Sequence, residues 1–346
     1  MRSRKRVIPF TGNRNVEMYR TVTILDLNTI ELHYWLNDGT HSMDAHIFNK
    51  CEYEFLGLVK ELSSSLKVKI DIEVEPLEEG GIRAWFKLYR DNKDAVKVAF
   101  LIFLLTDLLC TPIKTSLEYV TKEVLEQVFE DSEIKKLEEE KKKEELKLDI
   151  AKIKAETEIL CRNIDENKIQ KKRSNYYEAA SECKKIEKIS ISASDSSKDD
   201  SYLCKEVLSK DFELFVMTSD DLDPDQDDNA IIEIISPVLK KGKYQWLGIY
   251  QGEVIQFKMK SNEFKTMVLT GQVPFKNGSS ITCLLIKNKK IDNQGDVKVT
   301  GYEVVEVYNF FENDTPIETP EGKRRRQRKE SEDSQLSLFD DESFIQ

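Results

Sequence analysis

A long, highly charged stretch in the middle of the chain separates two regions that can fold. From residue 114 to about residue 189 the pattern is helical, and the segment from Glu138 to Glu145 contains no apolar side chain. Glu–Lys pairs four residues apart, each worth ~0.3 kcal/mol, can keep such a segment helical. The segment has no apolar side chains with which to pack against a core. A chain of 346 residues with this spacer predicts two folded modules rather than one core.

The charge balance limits the classes of partner. Charged residues make up 34% of the chain, against roughly 25% in an average domain, and 53 basic against 64 acidic residues give a net charge of −11. This balance argues against a surface built as a whole to coat nucleic acid or anionic lipid, although it allows local basic patches. The six cysteines contain no CxxC pair, which is typical of a reducing cytoplasm and not of a disulfide scaffold or a zinc ribbon.

The N-terminal region predicts a small α+β module. Residues 1–14 are basic and are expected to be flexible, and the apolar segment of a secretory signal does not follow them, so we expect a cytoplasmic protein. Over residues 15–92, an alternating strand near 30–36, a helix from about 42 to 65 and two further strands give the order β-α-β-β. The predicted fold class of the chain is α+β.

Residues 93–189 are predicted to form an apolar helix followed by the long charged helix. The uninterrupted apolar run, Val98 to Leu105, is much shorter than the ~20 residues that a membrane span needs. We therefore expect a helix that is buried or that faces a partner, with membrane insertion of residues 98–113 as the alternative.

Part of the charged helix carries the spacing of a coiled-coil seam. Apolar residues alternate at intervals of four and three, with Thr157 filling one gap: Leu146, Ile150, Ile153, Leu160 and Ile164. This spacing predicts self-association of the chain through residues 146–164.

Residues 190–229 are predicted to be a polar and acidic linker. The first part is rich in serine, and six aspartates fall within Asp220–Asp228. A calcium loop of the EF-hand type would need glycine at its sixth position and glutamate at its twelfth, and no aspartate here begins such a pattern. We expect a solvated acidic loop.

Residues 230–311 are predicted to form a β-rich module. Five short strands and one helix, near 262–269, suggest a small antiparallel barrel or sandwich. Its aromatic residues are interpreted as core, with a platform for stacking bases as the alternative because small barrels do bind single strands. These residues are Tyr244, Trp246, Tyr250, Phe257 and Phe275.

Residues 312–346 are predicted to be a disordered tail. It contains a basic run that could contact DNA phosphates, namely Lys323, Arg324, Arg325, Arg326, Arg328 and Lys329. After a polar stretch comes an abrupt apolar island, Gln335, Leu336, Ser337, Leu338 and Phe339. Apolar side chains in a charged tail have no core of their own, so we expect them to be exposed for a partner.

The pentapeptide from Gln335 to Phe339 resembles, at all five positions, the consensus peptide by which bacterial proteins dock on the DNA polymerase sliding clamp. It is similar to the clamp-binding ends of the Gram-positive replicative polymerase and of the clamp partner that inactivates the replication initiator. A chance match is expected in on the order of one in a thousand chains of this length. The resemblance covers five residues of 346.

The resemblance implies how these residues bind. Gln335 would hydrogen-bond at the rim of a groove on the clamp, Leu336 would lie along the groove, and Leu338 with Phe339 would fill an apolar pocket. Burying two such side chains at ~1.5–3 kcal/mol each, less the ordering cost, predicts micromolar affinity. The expected function is that of a non-enzymatic accessory or sensor protein at replicating or repaired DNA.

A cluster of possible metal ligands lies at the start of the first predicted helix. His41, Asp44 and His46 are ligand types, but their spacing does not place all three on one helix face, so we expect a helix cap and no metal. None of the common phosphate-binding, hydrolase or metalloprotease motifs occurs, and neither a catalytic residue nor a cofactor is predicted.

Two alternatives to the clamp hypothesis remain open at this point. One is a membrane-associated effector anchored by residues 98–113, whose layout resembles accessory proteins of bacterial phage-defence islands. The other is a metal-dependent nuclease that would use carboxylates of the N-terminal module, Asp71, Glu73, Glu75, Glu78 and Glu79, with Lys69 and Lys87. Carboxylates on the wet face of a strand are normally just solvated, which weighs against the second alternative.

Overall fold

The structure is a computed structural model in which the chain forms two compact units. It describes residues 8–10, 18–20, 24–39, 42–75, 82–89, 94–131, 145–196, 201–240, 242–312 and 315–340. The first unit comprises residues 1–218 with 293–296, and the second comprises residues 219–292 and 297–346. The fold is mixed α+β, as predicted.

Two short strands lie near the N-terminus. Strand β1 (Ile8–Phe10) pairs antiparallel with β2 (Met18–Arg20), with Pro9 opposite Tyr19. Residues 8–10, within the segment 1–14 that the sequence predicts to be flexible, thus form a strand. An apolar tripeptide can pair with a second extended segment even when the surrounding sequence is basic.

An antiparallel sheet of five strands organises the first unit. Its strands are β3 (Thr29–Leu36), β4 (Asp71–Glu75), β5 (Ile82–Tyr89), β6 (Ile186–Ser194) and β7 (Leu203–Leu208). They lie in the order β4-β5-β3-β6-β7, with every neighbouring pair antiparallel. The central strand β3 buries Ile30, Leu32 and Tyr34, as its alternating pattern predicted.

Strands β6 and β7 correct the predicted linker over residues 190–229. The serine-rich stretch alternates, so Ile189, Ile191 and Ala193 are buried in the core while Ser190, Ser192 and Ser194 point to the other face. A strand needs apolar residues only at every second position, and small polar residues can occupy the rest. The first unit therefore includes strands far beyond its predicted end at residue 92.

The described part of the first unit also contains five α-helices: α1 (Ala45–Ser65), α2 (Ala95–Cys110), α3 (Leu117–Phe129), α4 (Glu145–Cys161) and α5 (Glu166–Glu182). Helix α2 is buried from Val98 to Leu109, which confirms the prediction of a core helix. Its contacts include the sheet and helices α1, α3 and α4. Of the helices that the structure describes, none combines the length and apolar content needed to cross a membrane.

The predicted coiled-coil seam packs inside the unit. Thr157, Leu160 and Ile164 are buried, Ile153 is partly buried against the same core, and Leu146 and Ile150 belong to the part of α4 whose side chains are not described. Spacings of three and four residues also describe a helix that packs on its own domain, so the pattern did not require a second chain. The middle of the charged stretch, residues 132–144, lies outside the described residues.

A buried arginine closes the C-terminal end of α2. Arg173, on α5, is only 2% exposed and donates hydrogen bonds to the carbonyl oxygens of Leu108 (2.9 Å) and Thr111 (3.1 Å). The Tyr177 hydroxyl donates to the carbonyl of Leu109 between them. Burial lowers the pKa of Arg173 to about 10, which still leaves it charged at neutral pH. The last carbonyls of a buried helix thereby obtain partners that water cannot supply.

Replacing Arg173 with methionine tests this arrangement. Arg173→Met keeps the length of the side chain but leaves two buried carbonyls without their donor, at about 1–3 kcal/mol for each group. We expect the free energy of unfolding of the first unit to fall by roughly 2–4 kcal/mol in urea titrations followed by circular dichroism. Arg162→Met, at an exposed arginine, is the control. Equal shifts for the two variants would contradict the role given to Arg173.

The described residues of the second unit form a closed five-stranded barrel with three further elements. The barrel strands are β8 (Asp221–Ser236), β9 (Trp246–Tyr250), β10 (Glu253–Met259), β11 (Ser280–Ile291) and β12 (Val297–Glu312). Their order is β10-β9-β8-β11-β12, and a parallel pairing of β10 with β12 closes the barrel. Helix α6 (Asn262–Leu269) follows β10, and strand β13 (Thr315–Glu318) and helix α7 (Pro320–Asp340) follow β12.

The acidic run predicted to be a solvated loop is the first half of strand β8. Lysines on the neighbouring strand β11 pair with it: Lys289 Nζ lies 2.6 Å from Asp225, and Lys290 Nζ lies 3.0 Å from Asp221. The Tyr250 hydroxyl donates to Asp227 at 2.6 Å, and this bond lowers the pKa of the Asp227 carboxyl. Acidic residues can occupy a strand when the strand beside it supplies opposite charge.

Candidate functional site

The first turn of helix α7 is fixed to the barrel by buried polar groups. Glu321 is 8% exposed and accepts hydrogen bonds from the Ser261 hydroxyl (2.8 and 2.9 Å) and the Val307 N–H (2.7 Å). Burial raises the pKa of the Glu321 carboxyl. Thr319 is also buried; its N–H donates to the Tyr308 carbonyl at 2.9 Å and its hydroxyl accepts from Gly322 N–H at 3.0 Å. These contacts determine where the helix leaves the barrel.

Gly322 allows the helix to approach the barrel this closely. A Cβ atom at this position would lie 2.1 Å from the Tyr308 carbonyl oxygen, a distance that no side chain can adopt. Glycine is therefore required by the contact of one backbone with another.

Much of the predicted phosphate-binding run is used within the second unit. Arg324 pairs with Glu263 at 2.7 Å, and Arg326 makes two contacts with Glu318, at 3.0 and 3.2 Å. The guanidinium of Arg325 stacks over the Tyr308 ring, 3.9 Å from its centroid. Three of the six proposed phosphate contacts thus hold α7 to its surroundings. The other three, Lys323, Arg328 and Lys329, are exposed.

The region predicted to be disordered contains a strand and a helix. Strand β13 pairs with β12, and the backbone of α7 continues as a helix through residues 335–339 to Asp340. The packed first turn provides a helix nucleus, and the run from Lys323 to Glu330 consists of good helix formers with an Arg326–Glu330 pair four residues apart. The side chains of residues 332–346 are not among those described, so the clamp-binding prediction for Gln335–Phe339 stands on sequence.

A polar network covers the outer face of the sheet in the first unit. There Glu31 accepts from the Ser192 hydroxyl at 2.9 Å and lies 3.5 Å from Arg83 Nε, while Trp35 Nε1 donates to Ser190 at 2.9 Å. These residues line a groove of about 450 Å³. Some of the polar groups on this face pair with one another, whereas Glu31 Oε1, Arg83 Nε and Ser194 Oγ are buried without a hydrogen-bond partner. The sequence pattern did not predict this network.

The carboxylates considered for a nuclease lie at the edge of the same sheet. Asp71 and Glu73, on the edge strand β4, are exposed; the side chain of Glu75 and all of Glu78 and Glu79 lie outside the described part of the chain. Within the described ranges, no group of three or more His, Cys, Asp or Glu side chains is arranged to hold a metal ion. The geometry therefore gives the nuclease alternative no support.

The cluster at the start of α1 is a helix cap. The Asp44 carboxylate accepts from the His46 N–H at 2.7 Å and from the Ile47 N–H at 3.4 Å, which confirms the predicted cap. His41 lies outside the described residues.

The cysteines include thiols whose pKa is raised by burial. All six are free thiols. Burial raises the pKa of Cys51, Cys110 and Cys161 to about 12, so they are protonated at neutral pH. A protonated buried thiol is unreactive, because the thiolate is the nucleophile.

A groove on the barrel contains an aromatic residue that the sequence reading assigned to the core. Trp246, Tyr250 and Phe257 are buried and Phe275 is partly buried, as predicted, but Tyr244 is 59% exposed. Tyr244 lines a groove of about 430 Å³ together with Lys240 and Lys265. The lysines at 240, 241 and 243 flanking Tyr244 were the available signal that this tyrosine belongs to a surface loop.

Comparisons of the chain with protein-family models, with curated proteins and with solved structures find no match. The function must therefore be argued from the residues themselves.

Changing Gly322 to alanine tests the attachment of α7. The added methyl group cannot fit against the Tyr308 carbonyl, so the first turn must move and the Glu321 hydrogen bond to Val307 must weaken. We expect faster amide hydrogen exchange at Val307 and Lys323, whose N–H groups depend on this turn. Gly301→Ala, where the barrel leaves open space, should leave both amides protected. Unchanged exchange in the Gly322→Ala variant would show that the helix is held elsewhere.

Proposed function

We propose that this protein is a non-enzymatic accessory or sensor protein that docks on the bacterial DNA sliding clamp through Gln335–Phe339. The observation that carries the proposal is the consensus pentapeptide itself, placed near the C-terminal end of the sequence. Its role would be to bring the two folded units to replicating or repaired DNA.

The position of the peptide on α7 supports the proposal. Among the residues whose side chains are described, the buried groups of α7 lie in its first turn, Arg324 to Arg326 add surface contacts, and the residues from Arg326 to Ser331 are exposed. With a rise of about 1.5 Å per residue, the thirteen residues from Gly322 to Gln335 correspond to roughly 20 Å of helix. The docking residues thus follow the buried first turn at roughly 20 Å along the helix, and exposed residues from Gln327 to Ser331 lie between them, an arrangement that would give a large ring access.

The expected affinity follows from the small size of the contact. Leu338 and Phe339 would each contribute ~1.5–3 kcal/mol on burial, and the cost of fixing the end of the chain reduces the sum. A micromolar dissociation constant is compatible with reversible recruitment of the protein to the clamp. A clamp is a ring with several equivalent grooves, so a second contact on the same ring or on its DNA would raise the overall affinity without new chemistry.

The exposed cations of α7 could provide such a second contact. Lys323, Arg328 and Lys329 are on the same helix as the peptide and are not consumed by the ion pairs that hold Arg324 and Arg326. Each phosphate that they neutralise would release counterions and add salt-dependent, sequence-independent affinity. We therefore assign phosphate contacts to these three residues rather than to all six.

The burial of α2 weighs against the membrane-associated alternative. Its apolar residues, including Phe100, Leu104 and Leu105, are fully buried in the core of the first unit. Insertion into a bilayer would require removing the central helix from that core, and burial of such side chains is worth ~1.5–3 kcal/mol each.

A peptide titration tests the proposed docking. A labelled peptide of residues 330–346 should bind purified bacterial clamp with a micromolar dissociation constant in fluorescence anisotropy, because Leu338 and Phe339 enter the apolar pocket. Leu338→Ala with Phe339→Ala should remove binding. Phe344→Ala with Ile345→Ala, which takes two apolar side chains from outside the pentapeptide, should have little effect. The proposal fails if the native peptide does not bind up to high micromolar clamp or if the two double variants behave alike.

A further inference from the structure

The barrel groove next to Tyr244 is lined by lysines and by aromatic side chains, a composition that suits a polyanionic ligand which itself carries aromatic groups. It lies between the loop that joins β8 to β9 and helix α6, and its volume is about 430 Å³. Apolar side chains of Trp246, Met259 and Leu269 contribute to its wall. Lys240 and Lys265 also line it, and no carboxylate does so among the residues that the structure describes.

Tyr244 presents an accessible ring in this groove. Its side chain is 59% exposed, whereas Trp246, two residues later, is 2% exposed. The backbone of Gly242 lies beside the ring, since a Cβ atom there would be 2.5 Å from Tyr244 Cε2. Glycine thus lets the ring rest against the loop, and the remaining surface of the ring is open to a ligand.

The lysines around this ring differ from other lysines of the barrel. Lys258 and Lys260 lie 3.6 and 3.5 Å from Glu303, and Lys289 pairs with Asp225. For Lys240 and Lys265 the described part of the chain provides no ion pair, and the nearby Glu263 is engaged by Arg324. The chain has a net charge of −11, whereas the described lining of this groove contains lysines and no carboxylate. This local positive charge favours an anionic ligand.

We propose that this groove binds single-stranded nucleic acid. A base stacks on Tyr244, and Lys240, Lys243 and Lys265 contact the phosphates around it. Stacking on an aromatic side chain combined with a cationic track is the usual way in which proteins hold single strands without reading their sequence. Asn262 and Thr266 lie one helical turn apart at the groove. Asn262 supplies an amide for the edge of the base, and the Thr266 hydroxyl, which donates to the Asn262 carbonyl at 2.8 Å, can accept a hydrogen bond from the base.

The groove distinguishes single strands from duplexes. The bases of a duplex are stacked on each other, so neither face of a base can lie on the Tyr244 ring until the stack is opened. The proposal goes beyond clamp docking, because it involves a different element of the second unit. It would hold even if the protein did not bind a clamp.

The expected binding is weak and sensitive to salt. Three phosphate contacts predict a slope of about −2 for the logarithm of the association constant against the logarithm of salt concentration, since each contact on a single strand contributes about −0.7. Loss of one stacked base should lower the affinity about tenfold or more.

Fluorescence anisotropy of the full chain with labelled dT15 and with a duplex of the same length tests the proposal. Tyr244→Ala should weaken dT15 binding about tenfold, and Lys240→Gln with Lys265→Gln should weaken it and reduce the salt slope by about 1.4. The matched controls are Tyr119→Ala, an equally exposed tyrosine of the first unit, and Lys258→Gln with Lys260→Gln. Thermal unfolding checks that each variant is folded, and clamp binding should be unchanged in all of them.

Three outcomes would overturn the proposal. The first is equal loss of affinity in the groove variants and their controls, and the second is tighter binding of duplex than of dT15. The third concerns the chain's own acidic end: if residues 330–346, added as a peptide to a chain that ends at Lys329, bind the groove while dT15 does not, the groove takes an acidic peptide instead.

Discussion

A buried carboxylate connects the folded part of the second unit to the segment that we propose as its docking element. Glu321 accepts hydrogen bonds from Ser261, which caps α6, and from the backbone of Val307 in β12. A carboxylate without such donors would be costly to bury, so the barrel and the start of α7 must form together. Gly322 then brings the helix against the backbone of Tyr308. Without this attachment, residues beyond Pro320 would have no fixed starting point on the barrel.

This attachment changes the nature of the proposed clamp contact. A disordered tail samples a large volume, and fixing it on a partner costs conformational entropy for each residue that becomes ordered. A helix that begins at a fixed point removes part of that cost and limits the directions from which a partner can approach. The basic run has a double role as a result: Arg324, Arg325 and Arg326 hold the helix in place, and Lys323, Arg328 and Lys329 remain exposed.

The sequence predicted those elements whose pattern depends on residues close to one another in the chain. The structure confirms the alternation in β3, the Asp44 cap of α1 and the apolar helix α2, and it shows α2 buried, which is one of the two interpretations of its apolar run. The seam at Leu160 and Ile164 was ambiguous, because a helix that packs on its own core has the same spacing as a coiled coil. For the serines of β6 and the aspartates of β8 the local sequence predicts a linker, because their pairing depends on strands distant in sequence. Local composition cannot show that Lys289 lies beside Asp225. The exposure of Tyr244 had only a weak sequence signal, the lysines at 240, 241 and 243, and it also depends on how one loop packs.

The most direct test of the central claim is a pull-down of purified bacterial clamp by the intact chain and by a chain that ends at Ser334. The two proteins share both folded units, the buried first turn of α7 and the complete basic run. We predict that the intact chain retains the clamp and that the shortened chain does not. Equal retention by both proteins, or by neither, would contradict docking through the pentapeptide.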